Sequence, residues 1–117
     1  MTGVQTCALP IFALTAGTAA AQSAENGKAL FQTYSCYACH GYAGHGSGNG
    51  VRLAPRRLPL PAFIAFVRRP VRMPSYSAKV LSDAQLAGLW AYIGTLPASP
   101  PATSIPLLKE LLNEKEK

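Results

Sequence analysis

Two cysteines and a histidine stand within five consecutive positions of the chain, in the order Cys36-Tyr37-Ala38-Cys39-His40. Thiol and imidazole side chains at such close spacing serve three kinds of chemistry: a zinc site, a redox-active dithiol, or covalent attachment of a haem. Each of these needs different support from the rest of the chain. The remaining sequence therefore discriminates between them.

Zinc and dithiol chemistry find little support elsewhere in the sequence. A structural zinc site takes about four ligands, usually from two well-separated pairs. The ligands available here are all in one short segment, and no second pair follows it: Cys36, Cys39, His40 and His45. A thioredoxin-like dithiol belongs to a βαβ unit, and no strand pattern surrounds this cluster. Both are the weaker alternatives.

Covalent haem attachment needs two thiols that reach the vinyl groups on one porphyrin edge, followed by an imidazole that turns to the iron. Cys36, Cys39 and His40 supply these groups at the required spacing and in the required order. The motif predicts one covalently attached haem c, with His40 as the proximal iron ligand.

Met73 is the expected ligand on the other side of the iron. His45 is too close to His40 in sequence to cross to that side, and the other methionine is Met1. Met73 stands in a loop next to Pro74, where a thioether could point inward. The alternative is a methionine that only fills core space. A His/Met pair tends to raise the reduction potential, which suits an electron carrier.

From Ala24 to Leu96 the chain resembles a small class I c-type cytochrome of the bacterial periplasmic kind. The resemblance rests on "SCYACHG" from Ser35, "RMPSY" from Arg72 and "LSDAQLAGLWAYIGTLP" from Leu81, together with two residues of the first helix, Gly27 and Phe31. It implies an all-α fold, in which short helices and loops wrap around one covalent haem.

The resemblance also assigns roles to further residues. It implies that the first and last helices of the domain cross closely at Gly27, with Phe31, Leu89 and Tyr92 packed around the crossing. It implies a proline whose carbonyl accepts from the proximal imidazole, and Pro55 is the match. Such a bond would fix the tautomer of the ring and increase its basicity. Two residues are candidates for contact with the haem propionates: Arg56 and Trp90.

The sequence pattern predicts helices that would position these residues. Ser23 caps a first helix to about Tyr34, and the SDAQ sequence from Ser82 is a capping box for a longer helix that stops at Pro97. A glycine-rich loop covers residues 41–50. Two more helices are expected at 61–69, between two prolines, and at 106–115.

Positive charge is concentrated between Arg52 and Lys79. The net charge is +6, and this stretch contains seven basic residues and no acidic one. It is either a solvated face or a docking surface for redox partners with an acidic surface, where complementary charge would speed encounter. Nucleic acid is the weaker alternative, because no reading motif is present.

The two ends of the chain are interpreted separately from the predicted cytochrome c domain at 22–97. Residues 1–21 resemble the remnant of an export signal, and 2–11 resemble translated sequencing adapter, so Cys7 is set aside. We expect an exported, periplasmic protein whose mature chain has no stable membrane insertion. Residues 98–117 combine a Pro-rich linker with a short amphipathic helix, which either folds back or contacts another subunit.

These features predict a single-electron carrier between periplasmic redox partners, with no catalysis of bond chemistry. Two other functions stay open. One is a haem-based sensor of small ligands or a peroxide-handling protein, whose sixth iron position would open. The other is a haem subunit of a larger dehydrogenase complex.

Overall fold

The structure, a computed structural model, describes residues 23–116, so the predicted export signal lies outside the described residues. Within that range the chain forms five α-helices and one short 3-10 turn, and its sole β pairing is an isolated bridge between Ser47 and Gly50. The all-α prediction is confirmed. The helices are α1 (Ala24–Thr33), α2 (Cys36–His40), α3 (Leu60–Arg68), α4 (Asp83–Thr95) and α5 (Pro106–Lys115), and the 3-10 turn is Ala102–Ser104.

The two main helices begin where their capping residues predict. The Ser23 hydroxyl accepts a hydrogen bond from the Asn26 N–H at the start of α1. At α4, Ser82 Oγ accepts from the Gln85 N–H (3.2 Å), and Gln85 Oε1 accepts from the Ser82 N–H (2.9 Å). Both bonds of the predicted capping box are therefore formed, and they satisfy N–H groups that the first helical turn leaves without partners.

Helices α1 and α4 cross at a pair of glycines. Gly27 lies so close to Gly88 that a β-carbon at Gly27 would overlap the Gly88 carbonyl. Next to the crossing, the rings of Phe31 and Tyr92 meet edge to face at 5.4 Å, and Leu89 is buried. The predicted crossing at Gly27 is confirmed. Its partner, Gly88, was not predicted.

The α1–α4 pair supports a small core to which α3 adds one buried residue, Val67. Helix α3 begins one residue before the predicted start and ends at Arg68, ahead of Pro70. Few side chains are fully buried, and a large apolar space lies beside the core. The buried residues of the cluster are Phe31, Val67, Leu81, Leu86 and Leu89.

The C-terminal segment extends away from this core. Among the described helices and turns, α5 contacts only the 3-10 turn, so the structure shows no fold-back onto the domain. The leucines of α5 are largely exposed: Leu107, Leu108, Leu111 and Leu112. Over residues 23–116, no helix has both the length and the apolar character needed to cross a membrane.

Candidate functional site

Helix α2 places the sulfur and imidazole groups on one face. The cluster was predicted without secondary structure, and the structure folds it into a helix from Cys36 to His40. Its three chemical groups occupy positions i, i+3 and i+4, which lie side by side on a helix surface. Ser35, just before it, has a positive φ of 57°, an uncommon conformation that turns the chain sharply from α1 into α2.

This face borders an apolar cavity of about 590 Å³. The volume is within the range of cofactor and small-molecule sites, roughly 300–1,000 Å³. Cys36, Cys39 and His40 line it together with Met73, so the structure brings the four predicted sulfur and nitrogen groups to one space. Most of the other lining side chains are apolar, among them Phe31, Phe63, Phe66, Leu81, Leu86 and Leu89.

The ring of His40 is oriented by the backbone of the following loop. Its Nδ1 lies 2.7 Å from the carbonyl oxygen of Val51. A carbonyl only accepts, so Nδ1 carries a proton, and in the neutral ring Nε2 then keeps its lone pair. The resemblance predicted the carbonyl of Pro55 as this acceptor, whereas in the structure the acceptor is the carbonyl of Val51. Pro55 lines the cavity but the Val51 carbonyl occupies the position beside the ring.

Val51 reaches His40 because the glycine-rich loop folds straight back onto α2. The Gly46 N–H donates to the His40 carbonyl (2.8 Å), and Ser47 Oγ donates to the Cys39 carbonyl (2.7 Å). Gly50 lies against Cys39, where a β-carbon would overlap the Cys39 backbone. Val51, which follows Gly50 in the chain, is thereby placed beside the imidazole, four positions before Pro55. The run of glycines directly after His40 permits so close a return but does not specify where the loop goes.

Met73 is half-buried and packs against the core cluster. It lines the cavity together with its neighbour Pro74. The position contrasts with that of Val71, two residues earlier, which is 90% exposed. The Met73 side chain therefore borders the cavity. An iron ligand on the side away from His40 would have to do the same.

The two cysteines are free thiols in the polypeptide. Burial raises the pKa of the Cys36 thiol, and the nearby Cys39 adds to the shift. Cys36 is therefore a neutral thiol near pH 7. No group of three or more His, Cys, Asp or Glu side chains in residues 23–116 could hold a metal ion, so the zinc alternative lacks a ligand set.

Together these features fit a haem. The cavity is apolar and large enough, and both thiols border it next to an imidazole whose Nε2 is free. A haem needs such donors: thiols for its vinyl groups, an unprotonated imidazole nitrogen for its iron, and an apolar surround for its ring. The residues present therefore match the group that the motif predicts.

The two candidates for propionate contact are partly engaged with each other. The Arg56 guanidinium lies 3.4 Å from the centre of the Trp90 ring and donates to the Trp90 carbonyl (2.8 Å). Trp90 Nε1 donates to the carbonyl of Leu58 (2.8 Å), so its one donor is already used. Arg56 keeps further N–H groups at the wall of the cavity.

The seven basic residues between Arg52 and Lys79 differ in how exposed they are and in the contacts they make. The side chain of Arg68 is only 19% exposed and forms an ion pair with Asp83 (2.6 Å). It is a structural residue and not part of a free charged surface. Arg56 and the other basic residues of the stretch lie at the surface. Five of them make no ion pair and no side-chain hydrogen bond within the described chain: Arg52, Arg57, Arg69, Arg72 and Lys79.

Comparison with known proteins agrees with this site. A family model described as "Cytochrome C oxidase, cbb3-type, subunit III" matches residues 22–93, which is more than half of the chain and includes the motif, the cavity and α4 up to Ile93. No significant match was found among curated proteins or among solved structures.

Proposed function

The chain belongs to the c-type cytochrome family described as cbb3-type cytochrome c oxidase subunit III, and on that premise we propose that it is a single-electron carrier with one His/Met-ligated haem c. Cytochrome c domains of this family hold covalent haem c and support electron transfer. The observation that carries the proposal is the single cavity bordered by Cys36, Cys39, His40 and Met73. When bound there, the haem supplies a one-electron redox couple.

Each of the four residues has a separate task in this proposal. Cys36 and Cys39 hold the group covalently, and His40 Nε2 is the proximal ligand. The hydrogen bond from Nδ1 to the Val51 carbonyl fixes the ring orientation and makes Nε2 a better donor. Met73, as the distal ligand, favours the reduced state and so raises the potential.

The apolar lining contributes to the same function. Phe31, Leu86 and Leu89 are buried and face the cavity from α1 and α4. Side chains of this kind keep water from the ring and lower the local dielectric constant, which are two of the means by which a protein tunes a haem potential. These hydrocarbon side chains contain no polar group that would need a hydrogen-bond partner when buried.

We place the carrier on the exported side of the membrane, in the periplasm, with redox proteins as partners. Cytochrome c domains are typically found on that side. Arg52 and Arg57 border the cavity and are exposed, so an acidic surface could approach the haem edge there. Charge complementarity of this kind acts mainly on the rate of encounter.

A second candidate is a haem subunit of a larger complex, and the exposed leucines of α5 favour it. Among the described helices and turns, α5 contacts only the 3-10 turn, and its leucines stay exposed, as they would at a contact site for another subunit. Size-exclusion chromatography with and without residues 98–117 tests this, because a subunit should associate through the tail and a free carrier should not.

The sensor and peroxide alternatives need an open sixth position, and the location of Met73 in the cavity speaks against them. The test is made on protein matured in a strain competent for haem attachment. After acid–acetone extraction the colour should stay with the polypeptide. The reduced spectrum should be six-coordinate and low-spin, and carbon monoxide should not change it. Haem in the organic phase would refute covalent attachment, and ready binding of carbon monoxide would favour a sensor.

A further inference from the structure

We infer that Arg68 is a positioning residue, which holds the Met73 loop (residues 69–81) closed over the cavity. This inference rests on the proposed role of Met73 as the distal ligand. It concerns a residue that belongs by sequence to the basic stretch but that the structure separates from it. Arg68 is the last residue of α3, and the Met73 loop begins directly after it.

One guanidinium joins three parts of the fold. Its Nη1 donates to the carbonyls of Tyr76 (3.0 Å) and Leu81 (2.7 Å), and its Nη2 donates to the carboxylate of Asp83 (2.6 Å). The first two bonds hold the second half of the Met73 loop, and the third reaches the first turn of α4. The planar fork of an arginine presents donors on two separate nitrogens, whereas a lysine has all its donors on one nitrogen and fits acceptors spread in this way less well.

Further contacts hold the same half of the loop. The Tyr76 N–H donates to the Val67 carbonyl (3.2 Å), and the Tyr34 hydroxyl donates to the Val80 carbonyl (3.1 Å). The rings of Tyr34 and Tyr76 also meet edge to face, with centroids 5.9 Å apart. Residues 76–81 are thereby attached to both α1 and α3.

The first half of the loop has no such attachment. Residues 70–75, which include Met73, form no hydrogen bond with any part of the chain that the structure describes. Val71 is 90% exposed. The position of the thioether thus depends on its own packing and on the anchored flank at Tyr76. Arg68 is the charged, mostly buried group that fixes this flank.

Loss of Arg68 should therefore release Met73 before it unfolds the domain. An external ligand such as imidazole reaches the iron only when the thioether has moved away. The apparent dissociation constant of imidazole then varies inversely with the fraction of molecules whose loop is open. Removal of two hydrogen bonds from a charged donor should raise that fraction, and with it the apparent affinity, by about tenfold or more.

The test is an imidazole titration of the ferric holoprotein, followed by its absorption spectrum. We expect Arg68→Met to bind imidazole about tenfold more tightly than the unmodified protein. Arg68→Lys should have an intermediate effect and serves as the main comparison if Arg68→Met does not fold. Asp83→Asn keeps both carbonyl bonds and should change the affinity least. The matched control is Arg69→Met, which removes the same charge from the exposed neighbour and should leave the affinity unchanged.

A second control separates positioning from general stability. Leu30 packs against the core from α1 and does not line the cavity, so Leu30→Ala should lower global stability without opening the loop. The inference is overturned if Arg68→Met and Arg68→Lys bind imidazole like the unmodified protein, or if Leu30→Ala, at an equal loss of stability, increases the affinity as much. Failure of the proposed function looks different: Met73→Ala would then leave imidazole binding unchanged.

Discussion

The segment around His40 and the loop around Met73 line the same cavity, but different contacts hold them in place. His40 is oriented by backbone groups that follow it closely in sequence, through a loop that packs its glycines directly against α2. Met73 is positioned from one flank, by a side chain that reaches across to α4. The proximal side is therefore set by local chain geometry, whereas the distal side depends on tertiary contacts and can open separately.

Substitution of the two proposed ligands should show the largest difference between the proximal and distal sides. His40→Ala removes the group that the proximal loop is built to hold, and so small a core depends on its cofactor for stability. We expect little stable, haem-loaded protein from His40→Ala. Met73→Ala should instead yield a folded protein with covalent haem and a lower potential. Haem content per polypeptide and far-ultraviolet circular dichroism measure both, and equal yields of the two holoproteins would contradict the account.

The tight packing of the proximal loop can be tested without touching a ligand. A β-carbon at Gly50 would overlap the Cys39 backbone, whereas Gly48 has open space around it. Gly50→Ala should lower the free energy of unfolding by about 1–3 kcal/mol, the usual cost of overpacking. Gly48→Ala is the matched control and should change it by less than about 0.5 kcal/mol. Denaturant unfolding of the holoproteins gives both values; if Gly50→Ala is as harmless as Gly48→Ala, the loop does not pack as described.

The charged surface gives the smallest expected effect. Arg57 is exposed at the cavity border, whereas Lys109 is exposed on α5 and makes the same contribution to net charge. Arg57→Glu should slow oxidation of the reduced protein by an acidic redox protein roughly two- to fivefold at low ionic strength, and Lys109→Glu should not. The difference should shrink as salt is added, because charges are screened over about 8 Å at physiological ionic strength. Stopped-flow rates across a salt series check this, and equal rates for both variants would make Arg57 a merely solvated residue.

Local signals in the sequence were enough to predict much of the fold. Ser23 and the Ser82–Gln85 box fix their helix starts through contacts within four residues, so both could be predicted with no knowledge of the rest. Gly27 could be placed at a helix crossing only by resemblance. Gly88 could not be placed at all, because a glycine inside a helix does not reveal what packs against it.

The candidate site shows the same limit. The order and spacing of Cys36, Cys39 and His40 predicted their chemistry, but only the structure shows that a helix brings them to one face. The acceptor for the His40 ring depends on the path of the glycine-rich loop, and the sequence does not specify that path; hence Pro55 was predicted where Val51 is found. Arg68 resembled its basic neighbours, because only the folded chain brings Asp83 within reach of it.

We propose that His40 and Met73 hold one haem between them. The most direct measurement is the near-infrared absorption of the ferric holoprotein, where sulfur–iron ligation gives a weak band. We expect this band in the unmodified protein and not in Met73→Ala, while the haem stays attached in both. A ferric holoprotein without the band, or a Met73→Ala variant that retains it, would contradict the claim.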